Sequence, residues 1–177
     1  MRGRQKELLE LLERSGASLF TLLTRLTLRE DIAEELMQEL FIKLNNCKGP
    51  DNVASWDAYA HRAAIHLAFD WRRGRKRASL RLERIEQPAA NEESPLTKLI
   101  SSERLQETLN AIERLNKSSR EIVIMRYIQQ DSYDNIAEKL GKTPHQVRAL
   151  CSRALSRLRD ILGADRHELC ERKEENV

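Results

Sequence analysis

Nowhere is this chain apolar for long enough to span a bilayer, and Met1 to Gly16 carries no signal-peptide pattern. A cytoplasmic protein without membrane insertion is therefore expected. Cysteine is scarce and scattered: Cys47, Cys151 and Cys170 form an odd set that argues against a disulfide framework. His167 and Cys170 share a helix face, but two ligands do not make a zinc site. There is no glycine-rich phosphate loop after a strand, no HExxH and no GxSxG, and no paired carboxylates arranged for acid–base chemistry. Neither enzyme activity nor a cofactor is expected. Aromatic residues make up only 5% of the chain, which suits helical, solvent-rich modules.

Charge is abundant. Asp, Glu, Lys and Arg are 33% of 177 residues, while the net charge is only +3. Acidic and basic stretches are separated along the chain, which implies more than one kind of partner. The most organised stretch is Ser132–Arg159. Ser132 is a good N-cap for a short helix from Tyr133 to Leu140, and Gly141 supplies the left-handed residue that stops it. Thr143 can cap the next helix, with Pro144 in its first turn. That helix places Val147, Leu150, Cys151, Ala154, Leu158 and Ile161 on one stripe. Two helices around a tight glycine turn make a helix-turn-helix. From Lys142 to Arg159 there are five basic residues and no acidic one. A helix that enters the major groove of DNA needs cations for phosphates and Gln or Arg for base edges. The candidates for duplex contact are Thr143, His145, Gln146, Arg148, Ser152, Arg153 and Arg157. The plainer reading is a helical hairpin with a solvated basic face.

Upstream, Met1 to Leu28 reads as two helical segments broken near Ser15-Gly16, with Leu8, Leu9, Leu11 and Leu12 in the core. Arg29 to Asn46 is amphipathic: Ile32, Ala33, Leu36, Met37, Leu40, Phe41 and Leu44 form its inner stripe. Its opposite face carries Asp31, Glu35, Gln38 and Ile42, with Glu34 and Glu39 beside them. An apolar residue rimmed by acids suits a protein-docking surface better than a solvated face. A helix from about Ser55 to Arg73 has Trp56, Ala60, Ala63, Ala64, Leu67 and Trp71 inside, together with Asp70 paired to an arginine. His61, Arg62, Ile65, His66, Phe69, Arg72 and Arg73 are expected outside. Exposed Ile65 and Phe69 among cations would suit single-stranded nucleic acid, whose bases pack on flat apolar surface.

The stretch Ile85–Leu96, with two prolines and several acids, reads as a linker. The fold expected is all-α: two small helical domains, 1–82 and 98–165, joined by a flexible linker over 83–97, with a charged tail at 166–177. In the second domain Ser118 and Glu121 are a candidate capping box.

The pattern resembles bacterial sigma factors of the sigma-70 family, in the small two-domain extracytoplasmic-function (ECF) type. Asp31 through Phe41 is similar to the family's AEDLxQExF helix, which docks on the clamp helices of RNA polymerase. Trp56 through Arg73 resembles the helix that melts the promoter and reads its minus-ten element, with Asp70 and Arg73 fitting D-x-x-R. Leu115 through Arg120 resembles LP-x-x-x-R, Tyr133 through Ala137 resembles SYxEIA, and Val147 through Ala154 resembles TVKSRLxRA. Asn116 stands in place of the family's proline, and Ile65-His66 in place of a frequent Arg-Asn pair.

The resemblance implies a sigma factor with core RNA polymerase and promoter DNA as partners, room for an anti-sigma factor, no cofactor and no active site. It assigns Asp31, Glu35, Gln38, Glu39 and Ile42 to polymerase. It assigns Asn52, Ser55, Arg62, Ile65, His66, Phe69, Arg72 and Arg73 to the melted strand, and the helix-turn-helix to the minus-thirty-five element. Two rivals are a helix-turn-helix regulator acting without polymerase and a helical adaptor that does not bind DNA. The first leaves the acidic face around Ile42 unexplained, and the second leaves the acid-free helix unexplained.

Overall fold

The computed structural model describes the backbone of residues 2–47, 55–82 and 96–174, and side-chain environments over 6–47, 55–78 and 103–164. All regular structure among these residues is helical. The chain divides into two compact units, residues 1–89 and 90–177.

The first unit is three helices: α1 (Arg2–Thr27), α2 (Glu30–Asn46) and α3 (Trp56–Leu82). Contrary to the expected break, α1 runs straight through Ser15-Gly16. Ser15 is buried and its hydroxyl donates to the Asp57 carboxylate on α3. The polar residue that looked like a helix break is thus a tie between helices. Leu28, at φ 61°, turns the chain from α1 into α2. A second tie joins α1 to α3, where the Arg72 guanidinium donates to the Leu26 carbonyl at 3.2 Å. The two ties follow the same order along both helices, so α1 and α3 run in parallel.

The core holds Leu8, Leu11, Leu19, Leu22, Leu23 and Leu26 of α1 with Ala33, Leu36, Leu40 and Leu44 of α2. Two residues expected inside lie outside. Leu9 is exposed, and so is Phe41 on α2. The third helix is the most enclosed. Between Ala58 and Arg73 only Tyr59, Arg62, His66, Asp70, Trp71 and Arg73 escape full burial. Alanines at 58, 60, 63, 64 and 68 let α1 and α2 approach closely on either side.

The second unit comprises α4 (Leu96–Glu113), α5 (Lys117–Val123), a π-helical turn (Ile124–Ile128), α6 (Tyr133–Leu140) and α7 (Pro144–Glu174). The helix expected from Lys98 begins at Leu96, and α7 continues through much of the segment read as a tail. The cap of α5 is Asn116, whose side chain accepts from Ser119 N at 2.9 Å. The expected box of Ser118 and Glu121 does not form the helix start, and Glu121 is buried instead. Asn116 thus supplies the cap at the helix start. Arg120 is buried against the end of α4 and donates to the Glu113 and Leu115 carbonyls at 2.8 and 3.0 Å.

Candidate functional site

The helix-turn-helix forms as its residues dictate. Ser132 accepts from Asn135 N at 3.1 Å and caps α6. Gly141 takes φ 62°, ψ 40°, a backbone position that side-chain-bearing residues avoid. Val147, Cys151, Ala154 and Ile161 of α7 are buried, with Leu150 and Leu158 half-buried. An ion pair between Asp131 and Lys139 at 2.9 Å, largely shielded from solvent, holds α6 to the preceding turn.

On the outer side of α7, His145, Gln146, Arg148, Ser152, Arg153 and Arg157 are all exposed, and Thr143 is exposed at its start. The structure therefore brings every proposed duplex-contact residue to solvent. Two of them have further duties. Thr143 and Gln146 form a reciprocal capping box: Gln146 N donates to Thr143 Oγ1 at 3.2 Å, and Thr143 N donates to Gln146 Oε1 at 3.0 Å. Gln146 was expected to offer its whole amide to an adenine. Its carbonyl oxygen is instead engaged at the helix start. Thr143→Ala is expected to cost the helix-turn-helix about 1 kcal/mol, read as a lower thermal midpoint. Arg148 lies over the Tyr133 ring at 5.4 Å from its centroid, and Arg126 lies over the same ring at 4.7 Å.

The sequence reading of α3 needs correction. Ile65 and Phe69 are fully buried, at 0% exposure, and Arg72 is buried on its bond to Leu26. They cannot form the exposed apolar face expected of them. His61, also expected outside, is buried with Nδ1 2.9 Å from the Asp57 carbonyl oxygen. The reason is geometric. At about 100° per residue, Ile65, Phe69 and Arg72 share one stripe and Ala60, Ala63 and Leu67 share another, and this unit covers both.

Up to Arg73, and apart from half-buried Trp71, what remains open is a narrow strip, Tyr59, Arg62, His66, Asp70 and Arg73, spaced by three or four residues and continued by Arg77. Asp70 faces outward rather than inward, and it pairs with Arg73 as the D-x-x-R spacing suggests. Tyr59 is the residue that sequence reasoning missed. It is half-buried, meets Trp56 edge-to-face at 6.0 Å, and lies 3.3 Å from the Cys47 thiol. The bond to Cys47 pushes the Tyr59 phenol above its ordinary range. Its three-residue spacing to Arg62 was the available signal. Ser55 is exposed and its hydroxyl accepts from Ala58 N at 3.3 Å, opening α3. Asn52, assigned with it, lies outside the described residues.

On α2, Glu35, Gln38, Glu39 and Ile42 are exposed as expected. Ile42 is 57% exposed, and Phe41 beside it is 38% exposed. Both lie one turn beyond Gln38, while Glu34 and Glu35 lie one turn before it. The apolar surface is therefore a pair of side chains rather than one. Asp31 is exposed but already engaged by Arg29, whose Nε lies 3.0 Å from its carboxylate. That bond holds the Asp31 carboxyl below its ordinary range. Among the described residues no group of His, Cys, Asp and Glu is placed to hold a metal, and no described helix is long and apolar enough to cross a membrane. His167 and Cys170 fall outside the described side chains.

Residues 105–158, which include the whole helix-turn-helix, match the family model for sigma-70, region 4. The chain is similar to the ECF RNA polymerase sigma factor SigE of Mycolicibacterium smegmatis, with 28% identity over 157 residues, or 87% of this chain. It spans 61% of that relative's length. It is similar in fold to CnrH, solved in complex with the cytosolic domain of CnrY: the TM-score is 0.50 at 20% identity, covering 93% of this chain and 92% of that one. Against the sigma factor RpoE, solved with the anti-sigma factor NepR from Bartonella quintana, the TM-score is 0.49 at 20% identity, covering 93% of this chain and 99% of that one. The region 4 match falls on the helix-turn-helix, and the similarity to SigE is longer than either unit alone, so it reaches into both. Residues 105–158 are thus similar to sigma-70 region 4, and most of the chain is similar to an ECF sigma factor.

Proposed function

We propose that this chain is a transcription initiation factor that binds core RNA polymerase, directs it to promoters and helps open the duplex. The observation that carries the reading is the pairing, in one chain, of an acidic docking face on α2 with a basic helix-turn-helix whose outer face is acid-free from Lys142 to Arg159. In this reading Phe41 and Ile42 fill an apolar recess on polymerase, while Glu34, Glu35, Gln38 and Glu39 meet cations around it. The outer face of α7 reads the minus-thirty-five duplex, with His145, Arg148 and Ser152 near base edges and Arg153 and Arg157 on phosphates.

Promoter opening falls to the exposed strip of α3. Extruding a base costs on the order of a few kcal/mol, and stacking on an aromatic ring returns about 1–3 kcal/mol per base. Tyr59 and Trp56 offer the ring surface, with Arg62, His66 and Arg73 along the strand. Ile65 and Phe69 contribute by holding this strip in place from beneath. The expected location is the cytoplasm, where the polymerase is. An anti-sigma factor is a third partner class, detectable as a competitor for the same docking face.

The test is co-purification with core RNA polymerase. The double variant Glu35→Lys, Glu39→Lys changes only exposed side chains, so its own stability should move by less than about 0.5 kcal/mol. Retention by polymerase should fall roughly tenfold or more, since opposed like charges cost several kcal/mol. Full retention of the folded variant would remove α2 as the docking face. Failure of the wild-type chain to bind polymerase, with duplex binding intact, would favour a regulator that acts without it.

A further inference from the structure

We propose that Tyr133 is a positioning residue for Arg148: its ring is the shelf that sets the guanidinium for one base pair of the duplex. This rests on the reading of α7 as the duplex-contacting helix. Tyr133 is the first residue of α6, immediately after the Ser132 cap, so the ring starts from a fixed backbone. Arg148 follows the capped start of α7 by one turn, and the Thr143–Gln146 box fixes that start as well. The two side chains thus leave two independently capped helix ends and meet, with the Arg148 guanidinium carbon 5.4 Å from the ring centroid.

Arg126 shares the ring at 4.7 Å and is itself tied by a 2.9 Å bond to the Asp131 carbonyl. Asp131 in turn is held by Lys139. A ring braced in this way resists tilting. A guanidinium stacked on such a face keeps its planar donor fork free while losing rotamer freedom before DNA arrives. A two-bond contact to guanine then requires less ordering on binding. The other exposed arginines of the helix, Arg153, Arg157 and Arg159, have no ring contact among the described residues. The shelf therefore separates one arginine that discriminates from those that only attract.

The experiment uses the full chain, alone and mixed with core RNA polymerase, against a duplex pool with a randomised window. Preference is read as the affinity ratio between the selected sequence and each of its single-base variants. Arg148→Ala should flatten preference at one position about tenfold. Tyr133→Leu and Tyr133→Met should flatten the same position by roughly 3- to 10-fold and leave the other positions ranked as before. Tyr133→Phe keeps the ring and should keep the preference. A general loosening of the fold would instead weaken every variant alike. The shelf is overturned if a folded Leu or Met variant keeps the wild-type ratio at that position, if it weakens all sequences equally, or if the Phe variant loses the preference. Absence of any selected sequence with the wild-type chain, in either mixture, overturns duplex reading itself and the shelf with it.

Discussion

Phe69→Ser is expected to unfold the first unit rather than to blunt a contact with DNA. The ring is fully buried in a helix that has cover on nearly every side. Truncating a buried Phe typically costs about 3–5 kcal/mol through lost burial and the cavity left behind. The serine hydroxyl adds an unsatisfied polar group in the same place. A unit of this size has about 5 kcal/mol to lose, since small cores bury little and net stabilities start near that value. Thermal unfolding followed by circular dichroism should show one of two transitions shifted far down or absent, with the helix-turn-helix melting as before. Arg62→Ala, on the open strip of the same helix, should leave that transition within about 0.5 kcal/mol of the wild type. A Phe69→Ser protein that melts normally would place the side chain back at the surface.

Arg120→Ala should have a comparable effect in the second unit. Its guanidinium closes the end of α4 by donating to the carbonyls of Glu113, the last residue of the helix, and of Leu115 just beyond it. Hydrogen bonds from a charged donor are worth about 1.5–3 kcal/mol, and leaving buried acceptors unmet costs on the same order. A loss of about 3 kcal/mol is expected, read as a fall in the denaturant midpoint without a change in slope. Arg120→Lys should recover only part: one guanidinium nitrogen makes both bonds, and the ammonium sits at the end of a differently shaped side chain. The result would also give a physical content to the L-x-x-x-x-R spacing of Leu115 and Arg120: the motif closes a helix. A midpoint unchanged in the alanine variant would mean that water satisfies these carbonyls equally well.

Much of this was open to reading from residues alone, and the exceptions share a cause. The helix-turn-helix was legible because Ser132, Gly141, Thr143 and Pro144 act locally, through caps and backbone preference, whatever surrounds them. The inner stripe of α2 was legible too, except at Phe41, where the apolar arc is wider than the surface that covers it. Ile65 and Phe69 were misplaced because a period of 3.6 residues identifies one apolar stripe and says nothing about a second neighbour. Beside Ile65 and Phe69 that second stripe carries Ala58 and Ala68, and alanine signals burial only weakly. Arg72 and Arg120 look like surface charge in any sequence, and only the carbonyls they meet reveal otherwise. Gln146 is ambiguous in sequence: Thr-Pro-His-Gln has the spacing of a capping box, and the same amide also suits a base edge.

The capping box at Thr143 and Gln146 divides the reading helix into positions that can drift and positions that cannot. A change at Gln146 alters both the fold of the helix start and whatever the side chain touches, so selection for a new target sequence would act against stability there. His145 and Ser152 carry no such double duty among the interactions recorded for them, and both are exposed. Under the proposed function, retargeting to other duplex sequences, by divergence over generations or by design, should therefore run through 145 and 152 first, with 143 and 146 inherited as a fixed pair.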